Sequence, residues 1–485
     1  IMISNIKLEI HMENKTNIEE KRTLKLNTKN TIFIGFAFFA ILMLWQVYNN
    51  YCPLFLDYLI RKKYGESNSF VIGIIMAADN LIAIFMLPLF GSLSDKTKTK
   101  YGKRMPYIVV GMILSALVFP LIAIMFYIES LTGVILMMGF TLIIMNMYRN
   151  PAVALMPDVT PKPLRAKANG IINFVGYLGA ILAGALGMIL KIAKDSKSAN
   201  WVPTNKINAI IAFSIASVFM IIALIILLLK INENKLLKEN KDDIEYGEKL
   251  SLTIDKIEDD KPISKGDRKN FIILLISLFL WFMSFNAIET FNSLFCKNIL
   301  GDEGIAGTIV IIMTISSIIT FILSVNLPSK IGRKNSVLIG ILCLIIGFGS
   351  ILLYYYLNGV FAKNFLETHI DGIGFSIIPI YMFIAICGIG WALINASSYP
   401  MMVELSTSKT IGKFTGYYYT VSMLAQTATP ILVGLIMNNS PLSLRLLYIY
   451  SVILMTIAFI AMLFYKENRQ KRINNTKKGF DALDI

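Results

Sequence analysis

The sequence predicts an all-α membrane protein in which twelve transmembrane helices form two six-helix bundles with internal pseudo-symmetry. The chain has 485 residues, of which 55% are hydrophobic and only 16% are charged, less charge than a soluble protein of this size carries. Its apolar residues come in blocks of about 20, long enough to cross a hydrocarbon core of roughly 30 Å as helices. Parts of the chain also repeat, which indicates two related halves.

The twelve blocks divide evenly around a charged central stretch. We predict spans at about 31–56, 68–93, 105–127, 131–156, 168–192, 207–231, 270–295, 304–326, 336–357, 376–400, 413–437 and 444–465. The domains predicted from them are an N-terminal tail (1–30), a first bundle (31–231), a linker (232–269), a second bundle (270–465) and a C-terminal tail (466–485).

The loop from Gly91 to Pro106 fixes the predicted orientation. It is polar, lies between two apolar blocks and carries five basic residues: Lys96, Lys98, Lys100, Lys103 and Arg104. Short loops rich in Lys and Arg stay in the cytoplasm. We therefore predict that this loop, the linker and both termini are cytoplasmic, and that residues 194–206 and 358–375 face outward. The same rule accounts for the net charge of +15, so nucleic acid is not an expected partner.

Three ungapped matches, in the same order in each half, support the repeat. Leu93-Ser94-Asp95 with Lys100-Tyr101-Gly102-Lys103-Arg104 matches Leu323-Ser324-Val325 with Lys330-Ile331-Gly332-Arg333-Lys334. Asp158, Lys167 and Gly170 match Glu404, Lys413 and Gly416, and Tyr48-Asn49 matches Phe285-Asn286.

Three motifs carry a family resemblance: Gly91-Ser-Leu-Ser-Asp95 with Gly102-Lys-Arg-Met-Pro106, Arg149-Asn-Pro-Ala-Val-Ala-Leu-Met-Pro-Asp158, and Trp281 with Phe285-Asn286-Ala-Ile-Glu289. With six plus six spans, they resemble the major facilitator superfamily, and within it the glycoside–pentoside–hexuronide:cation symporter group, among bacterial relatives of the sucrose carriers. The resemblance implies import of a sugar or glycoside with a proton or other monovalent cation, across the inner membrane of a bacterium. Melibiose-type members carry paired aspartates on the second span and a sugar-binding aspartate on the fourth, where this chain has Asp79 alone and Arg149.

Asp79 and Glu289 are the candidates for cation coupling. An ionised carboxylate costs several kcal/mol in the hydrocarbon region, so each is expected to face water, find a partner or carry a proton. Arg149 is the nearest predicted partner of Asp79, but the two differ in depth by about 10 Å at 1.5 Å per residue. Arg149 therefore has two other predicted roles, binding a substrate or reaching the membrane surface.

Five residues near cytoplasmic helix ends are predicted to form a gate: Gly91, Asp95, Gly102, Arg104 and Asp158. Asp95 is expected to accept hydrogen bonds at the N-terminus of the eleventh span, near Lys413, where the helix dipole favours a negative charge. Arg104 is expected to bridge Asp95 and Asp158. Such contacts would form only when the halves close on the inside. The alternative role is rigidity of the loop.

A sugar site is predicted from polar and aromatic residues in mid-membrane. Amide side chains offer paired donors and acceptors to hydroxyls, and aromatic faces pack against the apolar face of a sugar. The candidate substrate-binding residues are Trp45, Tyr48, Asn49, Arg149, Asn173, Trp281, Asn286, Asn395, Tyr419 and Gln426. The glycines of the fifth span, Gly176, Gly179, Gly184 and Gly187, are expected to serve helix packing.

Neither a cofactor nor a metal site is predicted. The two histidines are His11 and His369, and the four cysteines show no CxxC spacing. Membrane lipid is expected to surround the twelve spans. The rival functions are efflux of a lipophilic compound or drug, a membrane-embedded enzyme, and a sensor that does not transport. We predict a carrier rather than an enzyme.

Overall fold

A computed structural model of the chain describes residues 24–193, 202–258, 265–323, 331–359, 376–406 and 411–466. Every regular element in these ranges is a helix, and twelve of the helices are long and apolar enough to cross a membrane. The predicted fold class is therefore confirmed. Both histidines, most of the two tails and most of the segments predicted to face outward lie outside the described residues.

The first half comprises α1 (Thr28–Tyr64), α2 (Ser69–Lys96), α3 (Met105–Tyr127), α4 (Leu131–Val159), α5 (Arg165–Ile189) and α6 (Lys206–Lys230). The linker contains α7 (Glu233–Glu239) and α8 (Lys241–Glu258). The second half comprises α9 (Lys265–Ile299), α10 (Gly304–Leu323), α11 (Arg333–Leu357), α12 (Ile378–Glu404), α13 (Ile411–Asn438) and α14 (Leu446–Leu463). Short 3₁₀ turns precede α5 and α14.

Side-chain caps explain where several helices begin. The backbone N–H of Asn30 donates to Asn27 at the start of α1 (3.1 Å), and that of Val71 donates to Asn68 at the start of α2 (3.0 Å). Such a cap satisfies a first-turn N–H that has no partner within the helix. At its other end α1 stops at Gly65, whose φ of 89° is left-handed, a conformation that glycine adopts without strain.

The first span is longer than predicted. The prediction ended it near residue 56, where charged residues begin, but α1 continues to Tyr64. Its last two turns hold Asp57, which is only 1% exposed, so the charge has a protein environment instead of solvent. The helix continues because that carboxylate finds partners, as shown below.

The two halves meet along three helix pairs: α1 with α9, α2 with α13, and α5 with α10. We call the end of the molecule with Lys96, Arg104 and Glu404 the basic end, and the opposite end, with Tyr64 and Ile299, the far end. Glycines at the far end allow the closest approaches. A Cβ atom on Gly184 of α5 would lie 2.9 Å from the carbonyl oxygen of Gly307 on α10, so part of the predicted glycine stripe packs between the halves.

Candidate functional site

Asp79 lies in α2, ten residues beyond the first residue of that helix. Its side chain is 4% exposed, and its Oδ1 atom is buried without a hydrogen-bond partner. It is close enough to Arg149 on α4 and to Glu289 on α9 to interact with both charges. Two predicted coupling residues and one predicted binding residue therefore share one electrostatic environment, although they come from both halves of the chain.

Glu289 connects the halves at this level. Asn49 of α1 donates to its carboxylate with an Nδ2–Oε1 distance of 3.4 Å, and the side chain of Trp45, also on α1, lies close to it. Glu289 itself remains partly exposed. The carboxylate thus belongs to α9 while its hydrogen-bond donor belongs to α1, so any motion that separates these helices breaks the contact.

Arg149 does not reach the membrane surface. Its guanidinium lies over the Trp45 ring, 5.3 Å from the centroid, an arrangement that attracts a cation to the negative face of an indole. Trp45 is 17 residues beyond the start of α1, about 25 Å along the helix at 1.5 Å per residue. Within the described structure no ion pair of 4.0 Å or less joins Arg149 to Asp79, as their predicted difference in depth suggests.

Several buried polar atoms around this cluster lack a protein partner. They include the hydroxyl of Tyr48, which is 2% exposed and close enough to Asp79 to interact with its charge, and Nδ2 of Asn286, a residue that is 7% exposed. Buried polar groups normally have a partner in the protein or in bound water. We infer that these atoms serve water or a substrate, because they surround Asp79 and Glu289.

An aromatic pair lies beside Asn286 in the second half. The rings of Phe285 and Trp391 stack with their centroids 3.7 Å apart and an interplanar angle of 6°. Asn395, one turn beyond Trp391, donates to the carbonyl oxygen of Trp391 at 2.8 Å.

Five predicted substrate residues make no hydrogen bond, ion pair or ring contact with this cluster in the described structure, and one of them is Asn395, which bonds to its own helix. Trp281 is 1% exposed and packs in the apolar core of the second half. Asn173 donates to the carbonyl oxygen of Asn169 in its own helix. Tyr419 is 54% exposed beside Tyr418, and Gln426 is partly buried on the same helix.

The predicted gate residues meet at the basic end, all within the first half. Arg104 donates to Asp158 (Nε–Oδ2, 2.8 Å) and also to Asp95 and Ser94. Burial lowers the pKa of the Arg104 guanidinium, but the hydrogen bond and charge of Asp158, together with Asp95, outweigh it, so its pKa is raised. The Asp95 side chain stays 59% exposed. The predicted bridge by Arg104 is therefore present within the first half, so contrary to expectation it does not require the halves to close at this end. No hydrogen bond or ion pair of the described residues joins Asp95 to α13.

The repeat found in the sequence is visible as a repeated ion pair. Lys103 pairs with Asp158 in the first half (Nζ–Oδ2, 3.1 Å), and Arg333 pairs with Glu404 in the second. Lys103 matches Arg333 and Asp158 matches Glu404 in the alignment of the halves. Gly102 and the matching Gly332 both have positive φ, 112° and 94°, so the backbone turn is repeated as well.

A second charged cluster lies at the far end and crosses between the halves. Lys297 of α9 pairs with Asp57 of α1 at 2.5 Å, and their side chains are 2% and 1% exposed. Arg61 pairs with the same aspartate at 3.2 Å and donates to Asn298 at 3.4 Å. Neither Asp57 nor Lys297 is predicted from the sequence. The only signal there is a lone charge just beyond each apolar block.

The loops of the far end add two further contacts between the halves. Lys191, after α5, pairs with Asp302 at 2.5 Å. Glu303 accepts hydrogen bonds from the backbone N–H groups of Ile192 and Ala193. The described ion pairs between the halves therefore all lie at the far end, and those at the basic end lie within one half.

The described structure thus has two six-helix halves with a repeated basic loop and a cluster of polar side chains where α1 and α9 meet. The model of the Major Facilitator Superfamily matches residues 31–376, more than two thirds of the chain. This chain belongs to the Major Facilitator Superfamily. No curated protein sequence matches it.

Solved structures of other superfamily carriers share the fold. A D-xylose–proton symporter is 13% identical with a TM-score of 0.64, covering 91% of this chain and 98% of that one. The nucleoside transporter NupG is 13% identical with a TM-score of 0.58, covering 90% of this chain and all of that one. A POT family transporter in complex with a thioalcohol-conjugated peptide is 14% identical with a TM-score of 0.62, covering 89% and 94%.

Proposed function

We propose that this protein imports a sugar or glycoside together with a proton, by alternating access. The observation that carries the proposal is the central cluster, in which Asp79 keeps an unpartnered buried oxygen beside Arg149 and Glu289. The amide, hydroxyl and aromatic groups around it suit a polyhydroxylated substrate. The fold is shared with a D-xylose–proton symporter, which supports the substrate class by analogy of fold alone.

The orientation is part of the proposal. Placing the basic end in the cytoplasm follows the positive-inside rule, and it puts both tails and the linker (232–269) on the same side, between bundles at 31–231 and 270–465. The membrane would be the inner membrane of a bacterium. In this orientation the ion pairs between the halves close the outer side, and the structure corresponds to an inward-facing carrier.

Two carboxylates at the centre have different surroundings, which suggests different roles. Asp79 has an oxygen without a hydrogen bond, so a proton there would supply a donor without displacing an existing partner. Glu289 already accepts a hydrogen bond from Asn49 of the other half. We assign proton coupling to Asp79, with Glu289 sensing the separation of the halves. If the two access states differ in proton affinity, linkage makes the proton bias the conformational equilibrium.

The Asp79→Asn variant tests this assignment, because asparagine resembles a permanently protonated aspartate at similar volume. A thermal-shift screen with sucrose, melibiose, maltose, D-xylose, uridine and dialanine first selects the ligand that stabilises the purified protein. We expect the variant in proteoliposomes to lose accumulation driven by a proton gradient and to retain exchange of labelled ligand, which requires no net proton movement. Glu239→Gln, on the exposed face of α7, is the control.

Four outcomes would contradict the proposal. Undiminished gradient-driven accumulation in the variant would remove Asp79 from coupling and make Glu289 the next candidate. Loss of both activities in a folded variant would assign Asp79 to ligand binding or packing. Stabilisation by uridine or dialanine alone would replace the sugar by a nucleoside or a peptide, and counterflow that fails for every ligand would favour an enzyme or a sensor.

A further inference from the structure

The first residue of the linker helix α7 is buried against the basic loop of the first half. Glu233 begins α7 and is 0% exposed. Its carboxylate accepts hydrogen bonds from the backbone N–H groups of Lys103 (3.0 Å), Arg104 (2.9 Å) and Met105 (3.0 Å). A fully buried acid on a linker between two bundles needs a physical reason, because a buried carboxylate is costly without partners.

The reason lies at the start of α3. The first backbone N–H groups of any helix have no partner within the helix, and Arg104, the residue that precedes α3, makes no side-chain cap. Glu233 supplies both oxygens to these amides from a distant part of the chain. Hydrogen bonds to an ionised acceptor are about twice as strong as neutral ones, and the helix dipole favours a negative charge at this position.

The loop and the linker are shaped to fit each other. A Cβ atom on Gly102 would lie only 2.7 Å from the Cβ of Glu233, and φ of Gly102 is 112°, so both the close approach and the backbone conformation require glycine. Asn234 adds hydrogen bonds from its Nδ2 to the carbonyl oxygens of Lys100 (2.9 Å) and Thr99 (3.2 Å). The predicted gate glycine is therefore explained by contact with the linker.

The second half lacks the same arrangement in its described residues. Gly332 precedes α11 without a side-chain cap, and the nearby loop residue Lys334 donates to the carbonyl oxygen of Leu463 at 3.0 Å. Within the described residues the ion pair and the glycine turn are repeated between the halves, whereas a buried carboxylate that caps the following helix is seen only in the first half; residues 324–330 and 467–485 lie outside the description.

We propose that Glu233 is a positioning residue for the gate. It holds the backbone of Arg104 while Asp158 and Asp95 hold the side chain, so the basic loop moves as one body with the first half and presents the exposed Asp95 toward the second half. The assignment of a gate rests on the proposed function. The contact itself does not, and it can be tested without knowing the substrate.

Amide hydrogen exchange tests the contact directly. In Glu233→Ala, exchange at residues 103–105 should accelerate about tenfold or more, as expected for loss of a hydrogen bond to a charged acceptor. Added formate should restore protection, because the small carboxylate can occupy the space that the side chain leaves. Glu233→Gln should show partial loss, since only one of its two terminal atoms accepts. Glu239→Gln, in the same helix but 53% exposed, should match the wild type.

The effect on loop motion and transport is tested with a spin label at Tyr101→Cys, an exposed loop position. We expect greater loop mobility in Glu233→Ala, slower ligand counterflow with equilibrium binding retained, and recovery of both loop order and counterflow with formate. Exchange that stays unchanged at 103–105, or that rises throughout the first half, would overturn the positioning role. Increased loop mobility with normal counterflow would do the same. A wild-type protein that transports none of the six ligands would count against the proposed function, while the exchange data would still decide the contact.

Discussion

At the far end, Asp57 of one half pairs with Lys297 of the other, and both side chains are almost completely buried. At the basic end, Lys103 pairs with Asp158 and Arg333 with Glu404, each within a single half. The pairs resemble each other in chemistry, but only the first pair is lost when the halves separate. An interaction changes the balance between two conformations only by the difference it makes between them.

Whether an ion pair shifts the conformational equilibrium therefore depends more on whether it crosses the interface between the halves than on how strong it is. A pair that crosses the interface favours the conformation in which it forms. A pair within a half is present in both conformations, so it stabilises the half without shifting the equilibrium. The described structure separates the two types by end, and substitutions at each end should give different kinds of effect.

The largest effect is expected from Asp57→Asn. It leaves Lys297 buried without its partner, and breaking a buried pair in this way typically costs about 3–5 kcal/mol. Opening the far end would let water solvate Lys297, so the population of far-end-open molecules should rise on the order of 100- to 1,000-fold, at 1.4 kcal/mol per factor of ten. Distances between spin labels at Glu66→Cys and Asn439→Cys, both exposed far-end positions, measure the shift.

A double variant tests whether the opening comes from the unpaired charge of Lys297. In Asp57→Asn with Lys297→Met no buried charge remains, and replacement of a whole buried pair is often neutral. The far end should return toward the closed state. Equal opening in the single and the double variants would mean that packing around position 57, and not the unpaired charge, holds the far end closed.

A smaller effect in the opposite direction is expected from Asp95→Asn. Asp95 is 59% exposed and is predicted to meet the N-terminus of α13 when the basic end closes, a contact worth about 0.3–1 kcal/mol. Added to Asp57→Asn, it should reduce the far-end-open population about two- to fivefold. Labels at Lys98→Cys and Lys413→Cys report the basic end. If the two substitutions opened the same end, the assignment of Asp95 to a gate would be wrong.

The smallest shift in population is expected from Glu404→Gln. Its pair with Arg333 lies within the second half, and the two side chains are 29% and 34% exposed, so the pair contributes on the order of 1 kcal/mol or less. Thermal stability should fall slightly while the distances at both ends stay at wild-type values. A change in those distances comparable to that of Asp57→Asn would contradict the distinction between crossing and internal pairs.

The sequence alone predicted those features of the fold that depend on composition or on internal repetition. Blocks of apolar residues gave the spans, and the matches between halves anticipated the equivalence of Asp158 with Glu404 and of Gly102 with Gly332. The far-end pair was not predictable, because Asp57 and Lys297 are 240 residues apart and each looks like an ordinary charge at the end of a span. Glu233 was also not predictable, because nothing in the sequence distinguishes it from the charged residues around it. It lies in a charged linker, where one buried carboxylate resembles its solvated neighbours.

The central site was predicted only in part. Carboxylates and an arginine inside apolar spans stand out, so Asp79, Arg149 and Glu289 could be named. A tryptophan does not reveal from sequence whether it faces a cavity or the core. Trp281 packs in the core, while Trp45 contacts Arg149 and Glu289. The deciding quantity is the rotation of each helix about its axis, which depends on the packing of all its neighbours.

The unusual lengths of α1 and α9 have a consequence for the surrounding lipid. They contain 37 and 35 residues, about 55 Å and 52 Å at 1.5 Å per residue, against a hydrocarbon core of roughly 30 Å. Asp57 lies 26 residues beyond Thr31, where the apolar part of α1 begins, about 39 Å along the axis, and so beyond that core at headgroup level. Hydrophobic mismatch makes such helices tilt as the bilayer thins or thickens. The strength of the far-end pair should therefore depend on acyl-chain length, and a series of phosphatidylcholine vesicles of increasing thickness should change the closed population with no substitution in the protein.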